Sequence, residues 1–268
     1  MELSITKIKA FKSCRRLYEL KYIEGLRPVQ KAEALEIGSN YHKLLELLNS
    51  GTALAGNPDF DGNYSKELAM ARAYEKFIYP RFHVVAAEKA LEYDLGDGDK
   101  LVGIADGIAD DGHIVEHKSY GGTDSMEQYE YGLLWDEQIL AYMLMTGMRR
   151  VWYTVCRKPN IRLKKDETEE EFFGRMVAWY DEDTENKIRL FDIERTDAEV
   201  EEFRQNLLCI CAEMKGAQDM YRNTCHCNMY GRRCEYSSVC LHYDPAQEYI
   251  EFVKGSTDEL PEFAERGF

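Results

Sequence analysis

The chain has 268 residues, 44% of them hydrophobic and 31% charged, with a formal net charge of −15. Such a composition is globular and ample for a sizeable core, and no apolar run reaches the ~20 residues of a membrane span. The N-terminus MELSITKIKAFKSC lacks the apolar centre of a signal peptide, so the expectation is a cytoplasmic protein with reduced thiols and no membrane partner.

Taken as a total, the acidity argues against nucleic acid. Its distribution is less simple. Residues 1–31 carry eight Lys and Arg against three Glu, and a basic N-terminal face on an acidic body can guide a polyanion locally. A solvated basic helix is the alternative.

In chain order, residues 4–24 read as a helix with Ser4 as N-cap, and KAEALEIGSNYHKLLELLNSG, residues 31–51, as a second that ends at Gly51. GTALAGNPDFDGN is loop, and residues 64–79 are again helical. HVVAAEKALEYDL is extended and leads into two short strands around Asp110-Asp111-Gly112. A long amphipathic helix is expected over 126–146, a strand in RRVWYTVCRK, and a helix in TEEEFFGRMVAWYDED. NKIRLFDIER reads as a strand and 197–221 as a helix. The fold class is therefore α/β, a mixed central sheet flanked by helices. The expected organisation is one domain over 1–243, with a helical part at 1–80, a core at 81–195 and a C-terminal helix and Cys segment at 196–243. An acidic tail follows at 244–268.

The two strands carry charge where a core strand should be apolar: Asp106 in the first, Glu116 and Lys118 in the second. A two-residue Asp111-Gly112 turn would set Asp106 against His117. A three-residue loop with Gly112 left-handed would set Asp106 against Glu116, with Lys118, Val102, Ile104, Ile108 and Ile114 on the same face. Two facing carboxylates repel each other unless a divalent cation such as Mg²⁺ or Mn²⁺ lies between them. A lysine beside such a site can orient water or stabilise charge developing on phosphorus. An exposed hairpin with an ordinary Glu–Lys pattern is the other reading. Gly38 and His42 lie one helical turn apart, Gln138 and Tyr142 share a helix face at i and i+4, and Glu88 precedes the hairpin.

In this order the pieces Gly38…His42, Glu88, Gly103-x-x-Asp106, Glu116-x-Lys118 and Gln138-x-x-x-Tyr142 resemble the RecB-like branch of the PD-(D/E)XK nuclease superfamily. The resemblance implies a restriction-endonuclease-like core and a metal-dependent DNA exonuclease acting on single strands or ends. It makes His42, Asp106, Glu116 and the His117 backbone carbonyl metal ligands and Lys118 the catalytic lysine. Glu88, Gln138 and Tyr142 complete the catalytic set, with Gln138 and Tyr142 beside the DNA. Arg15 and Arg16 are candidate DNA contacts, and Tyr18, Tyr22, Tyr129, Tyr131, Trp135 and Tyr142 are aromatic candidates for holding a strand. No phosphate loop of the Walker type occurs, so a helicase, recombination or CRISPR-adaptation protein would be a separate partner.

Four of the eight cysteines, Cys225, Cys227, Cys234 and Cys240, crowd into sixteen residues, while Cys14 stands alone near the start. Four thiolates suit zinc or a [4Fe–4S] cluster, and reduced thiols without metal are the third reading. FKSCRRLYELKYIEGL resembles the N-terminal element of the iron–sulfur members, the AddB nuclease domain and the CRISPR-associated RecB-like exonucleases. That resemblance implies a structural [4Fe–4S] cluster on Cys14, Cys227, Cys234 and Cys240, with Cys225 as the alternative to Cys227. Two rivals remain: a non-catalytic DNA-binding or adaptor subunit that keeps the fold, and an iron–sulfur redox protein.

Overall fold

The computed structural model describes residues 1–29, 33–60, 62–229, 232–241, 252–257 and 260–264. The chain opens with β1 (Glu2–Leu3) and α1 (Ile5–Ser13), and Ser4 caps the helix as expected, its hydroxyl accepting from the Lys7 amide at 3.1 Å. The single helix expected over 4–24 is broken at Cys14, which is extended. A long-range partner overrides the periodicity: the Asn223 side chain donates to the Ser13 carbonyl at 2.7 Å, occupying an acceptor that a continuing helix would use. Helix resumes as α2 (Arg15–Tyr18), passes into a π-helical turn at Glu19–Ile23, and gives way to β2 (Leu26–Pro28).

Further along come α3 (Glu33–Asn49), α4 (Lys66–Phe77), β3 (Val84–Gly96), β4 (Asp99–Ala109) and β5 (Ile114–Tyr120). The helix expected over 126–146 is two, α5 (Met126–Leu133) and α6 (Glu137–Thr146). Asp136 divides them by accepting from the Gln138 amide at 3.0 Å, a new N-cap inside the apolar pattern. β6 (Arg150–Arg157), α7 (Glu169–Glu182), α8 (Thr184–Lys187), β7 (Ile188–Glu194) and α9 (Asp197–Gly216) follow, the last ending five residues before the expected boundary at 221. The Cys-rich segment holds β8 (Asn228–Met229), β9 (Arg232–Arg233) and α10 (Ser237–Cys240). Much of the tail expected from 244 lies outside the described residues; its described part contains β10 (Phe252–Lys254) and α11 (Pro261–Ala264).

The chain forms two compact units. The first comprises Met1–Lys31, Glu92–Gly103 and Glu202–Phe268, the second Ala32–Leu91 and Ile104–Glu201. Within the first, β1 runs parallel to β4 at Lys100 and Leu101, and β10 pairs antiparallel with β2. A small apolar cluster of Leu20, Tyr236 and Cys240, backed by Leu17, Leu26 and Phe252, packs there. In the second unit β4 and β5 are antiparallel, β5 and β6 parallel, and β6 and β7 antiparallel, which makes the mixed sheet. Its two faces carry separate cores. Tyr41, Leu45, Tyr74, Phe173 and Tyr180 from α3, α4 and α7 fill one, and Met126, Ile139, Tyr142 and Met143 from α5 and α6 fill the other. The helix-covered mixed sheet is the restriction-endonuclease-like arrangement expected.

Candidate active site

The β4–β5 turn is the three-residue one. The Ala109 amide donates to the His113 carbonyl at 2.8 Å, and Gly112 is left-handed at φ 81°, a conformation cheap only for glycine. The register pairs Gly107 with Val115 and Ile108 with Ile114; its continuation sets Asp106 against Glu116. Asp106 is 4% exposed and Glu116 1%. An uncompensated carboxylate at such depth costs several kcal/mol, so each needs a partner.

Asp106 has local ones. Its Oδ2 accepts from the His117 amide at 2.7 Å, and its Oδ1 lies 3.1 Å from Nδ1 of His42 on α3. Gly38 permits that helix to come close to β5: a Cβ there would lie 3.2 Å from Ser119 Oγ. Glu88, within β3, adopts φ 44°, the left-handed region, at a cost of about 1–3 kcal/mol for a non-glycine residue. The kink interrupts the strand's alternation and turns the carboxylate toward its neighbours. Ligand atoms of His42, Glu88 and Asp106 lie within 4.8 Å of one another, a grouping that could hold a metal ion. Glu88 therefore joins the cluster that sequence reasoning had built around His42, Asp106 and Glu116.

Glu116 is held otherwise. Lys118 Nζ pairs with its Oε1, and Gln138 Nε2 donates to the same oxygen at 3.1 Å. Its Oε2 is buried without a hydrogen-bond partner among the described residues. Burial pushes the carboxyl up to about 7 against the pull of Lys118, with Asp106 adding to the rise. For Lys118, burial works downward, but the Glu116 and Asp106 carboxylates outweigh it and hold the ammonium above its usual range. Gln138 ties the set together: its Oε1 accepts from Lys118 at 3.0 Å and its Nε2 donates to the Tyr142 hydroxyl at 2.7 Å. That hydroxyl donates to the Ile104 carbonyl at 2.7 Å, so Tyr142 braces β4 from a buried position. The His117 ring is buried beneath the site against Tyr74, 5.0 Å between centroids; burial pushes its pKa down to about 4, which keeps it neutral.

The arginine, cysteine and N-terminal tyrosine candidates lie in the first unit, whereas Tyr131 and Trp135 belong to the second. Arg15 pairs with Glu213 and lies over the rings of Phe11 and Tyr221; Arg16 pairs with Glu19 and Glu24. Tyr18 and Tyr22 are buried and stacked on each other, which removes them as strand-holding aromatics. Tyr131 and Trp135 are exposed at 66% and 73%. Cys14, Cys227, Cys234 and Cys240 line one pocket with Leu17, Leu20 and Tyr236, whereas Cys225 is exposed and is not among the lining residues. Burial pushes the Cys234 thiol up. Sequence reasoning missed Asp136, although Asp before a helical run is a legible cap. It had no signal for the Ile104 carbonyl or for the pairing of Asn223 with Ser13.

A motif-bearing hairpin on a helix-covered mixed sheet defines a nuclease-type core, and the family comparison agrees. The model of the PD-(D/E)XK nuclease superfamily matches residues 2–241, and the chain belongs to that superfamily. Among solved structures, a protein of Eubacterium rectale assigned as an exonuclease is 15% identical, with 90% of this chain and 88% of that chain covered and a TM-score of 0.52. The alkaline exonuclease of Laribacter hongkongensis is 16% identical, with 80% and 88% covered and a TM-score of 0.37. At 15% identity the likeness to the Eubacterium rectale protein is one of fold. A comparison with curated proteins finds no match. Among the described residues no helix is long and apolar enough to cross a membrane.

Proposed function

We propose that the protein is a divalent-cation-dependent DNA exonuclease whose hydrolytic site is His42, Glu88, Asp106, Glu116 and Lys118. The observation that carries this reading is the convergence of His42, Glu88 and Asp106 ligand atoms within 4.8 Å, beside a buried Glu116 oxygen with no hydrogen-bond partner among the described residues. Hard oxygen donors with one imidazole fit Mg²⁺ or Mn²⁺, and the His117 carbonyl is a further proposed ligand. Bound there, such an ion would neutralise phosphate charge and acidify an attacking water. The chain's own groups do the rest. Lys118 offers its ammonium to the charge that develops on the phosphoryl oxygens. Gln138 holds both Lys118 and Glu116, so the lysine is aimed before substrate arrives. Tyr142 fixes Gln138 from below.

The exposed Tyr131 and Trp135, near the start of α6, support a single-stranded substrate by offering faces on which unpaired bases can stack. Arg15 and Arg16 would exchange their carboxylate partners for phosphate. A helicase, recombination or CRISPR-adaptation partner would supply the strand. We also propose that Cys14, Cys227, Cys234 and Cys240 hold a structural [4Fe–4S] cluster. Support comes from their shared pocket with apolar walls and from the exposure of Cys225, which favours Cys227 as the ligand. The deciding experiment is digestion of end-labelled single- and double-stranded DNA with Mg²⁺, Mn²⁺ or EDTA, using wild type and Asp106→Asn. Release of mononucleotides that needs the cation and Asp106 is expected; cleavage by Asp106→Asn at the wild-type rate would overturn the site.

A further inference from the structure

The residues just before the Cys-rich segment do more than connect it to α9. The Asn223 amide donates to Cys14 Sγ at 3.4 Å, and its side chain holds the Ser13 carbonyl. Tyr221 accepts from the Arg16 amide at 3.2 Å. Arg222 reaches the other way. Its Nε donates to Cys240 Sγ at 3.2 Å, and its Nη2 donates to the carbonyl of the same residue. Two adjacent residues thus grip the first and the last cysteine of the proposed donor set. Arg222 also lines the pocket that the four cysteines share.

A guanidinium pointed at one sulfur has a chemical consequence. An N–H···S bond withdraws electron density from a thiolate, and a fixed positive charge stabilises added negative charge nearby. For an iron–sulfur cluster both effects favour the reduced form and raise the reduction potential. We infer that Arg222 is the positioning residue of this site: it fixes the Cys240 thiolate and holds the cluster at a higher potential than four unassisted thiolates would. This inference rests on the cluster reading above. Arg16 supplies an internal control. Its charge also acts on Cys240, but among the described residues its guanidinium hydrogen bonds go to Glu19 and Glu24 and none goes to a sulfur.

The test uses the full chain, purified anaerobically, as wild type, Arg222→Gln, Arg222→Lys and Arg16→Gln. Iron and zinc per chain are measured first, then the midpoint potential by dithionite titration followed by electron paramagnetic resonance. Wild type should hold about four irons. Arg222→Gln should keep its iron and titrate at a more negative potential with an altered spectrum. Arg222→Lys should fall between, since it keeps the charge and loses the planar fork. Arg16→Gln should move the potential less than Arg222→Gln. An unchanged potential in iron-loaded Arg222→Gln overturns the assignment, and so does loss of iron from both Arg222 variants, which would make the residue a structural pin. A colourless wild type carrying zinc would instead overturn the cluster reading, a failure told apart because it shows before any substitution.

Discussion

The carboxylate site and the cysteine pocket are assembled by opposite means. The first draws Asp106 and Glu116 from one hairpin with a three-residue loop, adds Lys118 from the same strand, and borrows His42, Glu88 and Gln138 from neighbouring elements of the same unit. The second needs Cys14 and Cys240 in one pocket although nearly the whole chain separates them, and it breaks an otherwise regular helix at Cys14 to get there. Local geometry builds the reactive groups; long-range closure builds the thiol pocket. Substitutions in the two should therefore fail in different ways.

The largest expected effect lies in the hairpin. Asp106→Asn or Lys118→Ala should lower cleavage by roughly 10²–10⁴-fold or more, the scale of losing a general acid–base or charge-stabilising group. Iron content and the visible spectrum should be unchanged. A drop in iron with either variant would break the separation between the two regions.

The cysteines provide the reciprocal test. Cys14→Ala should lose iron as fully as Cys234→Ala, and both should lower the melting temperature, because the proposed cluster would clamp most of the chain into one loop. In the entropic picture used for disulfides, closing so long a loop stabilises by about 5 kcal/mol. Cys225→Ala should keep its iron, in keeping with its exposure outside the pocket. Full iron content in the Cys14 variant would refute the four-cysteine assignment.

How far each region could be read from the sequence follows the same division. Asp-Asp-Gly allowed two turns, and one of them, with Gly112 left-handed, is present. Gln138 and Tyr142 at i and i+4 do meet on one helix face. Gly38 does mark a close approach, to Ser119. These are short-range facts, fixed by periodicity and turn chemistry. The misreadings have distant or competing causes. The helix over 4–24 is broken by Asn223, whose partner at Ser13 no local pattern announces. The helix over 126–146 is split because Asp136 caps more strongly than Leu133, Leu134 and Trp135 can propagate. Nothing in VVAAEKALEY marks Glu88 as left-handed, since a glutamate in a β-rich run gives no reason to expect positive φ.

Glu88 sharpens the comparison, because its strain is a stability cost borne at the site. Glu88→Gly removes the carboxylate and the strain together, while Glu88→Gln removes only the charge. The glycine variant should bind Mn²⁺ weakly yet be more stable than the glutamine variant by about 1–3 kcal/mol. Calorimetric Mn²⁺ titration and denaturant melts of both variants check this. Equal stabilities would show that the left-handed backbone stores no strain.

The smallest expected effect concerns a carboxylate as buried as those of the hairpin but fully partnered. Asp99, in the first unit, accepts from the N-terminal amine at 3.1 Å and from Lys215 Nζ at 2.6 Å. Burial works to raise its pKa, but Lys215 and the amine prevail and hold it below the usual carboxylate range. Glu116, by contrast, keeps an oxygen without a hydrogen-bond partner among the described residues and is pushed up to about 7. The two differ as a carboxylate whose partners offset its burial differs from one left with an oxygen open to the proposed ion. For Asp99 the folded pKa lies below the unfolded one, so its contribution is complete above the unfolded value of about 4 and is lost as pH falls through the folded value. Asp99→Asn should destabilise the first unit by roughly 1 kcal/mol at neutral pH, a modest figure because Lys215 is half exposed. The penalty should vanish in acid. Hydrogen exchange at the Leu3 and Leu101 amides, where β1 meets β4, reads that unit directly. A penalty that persists undiminished at pH 2 would mean that Asp99 stabilises through its shape and neutral hydrogen bonds rather than its charge.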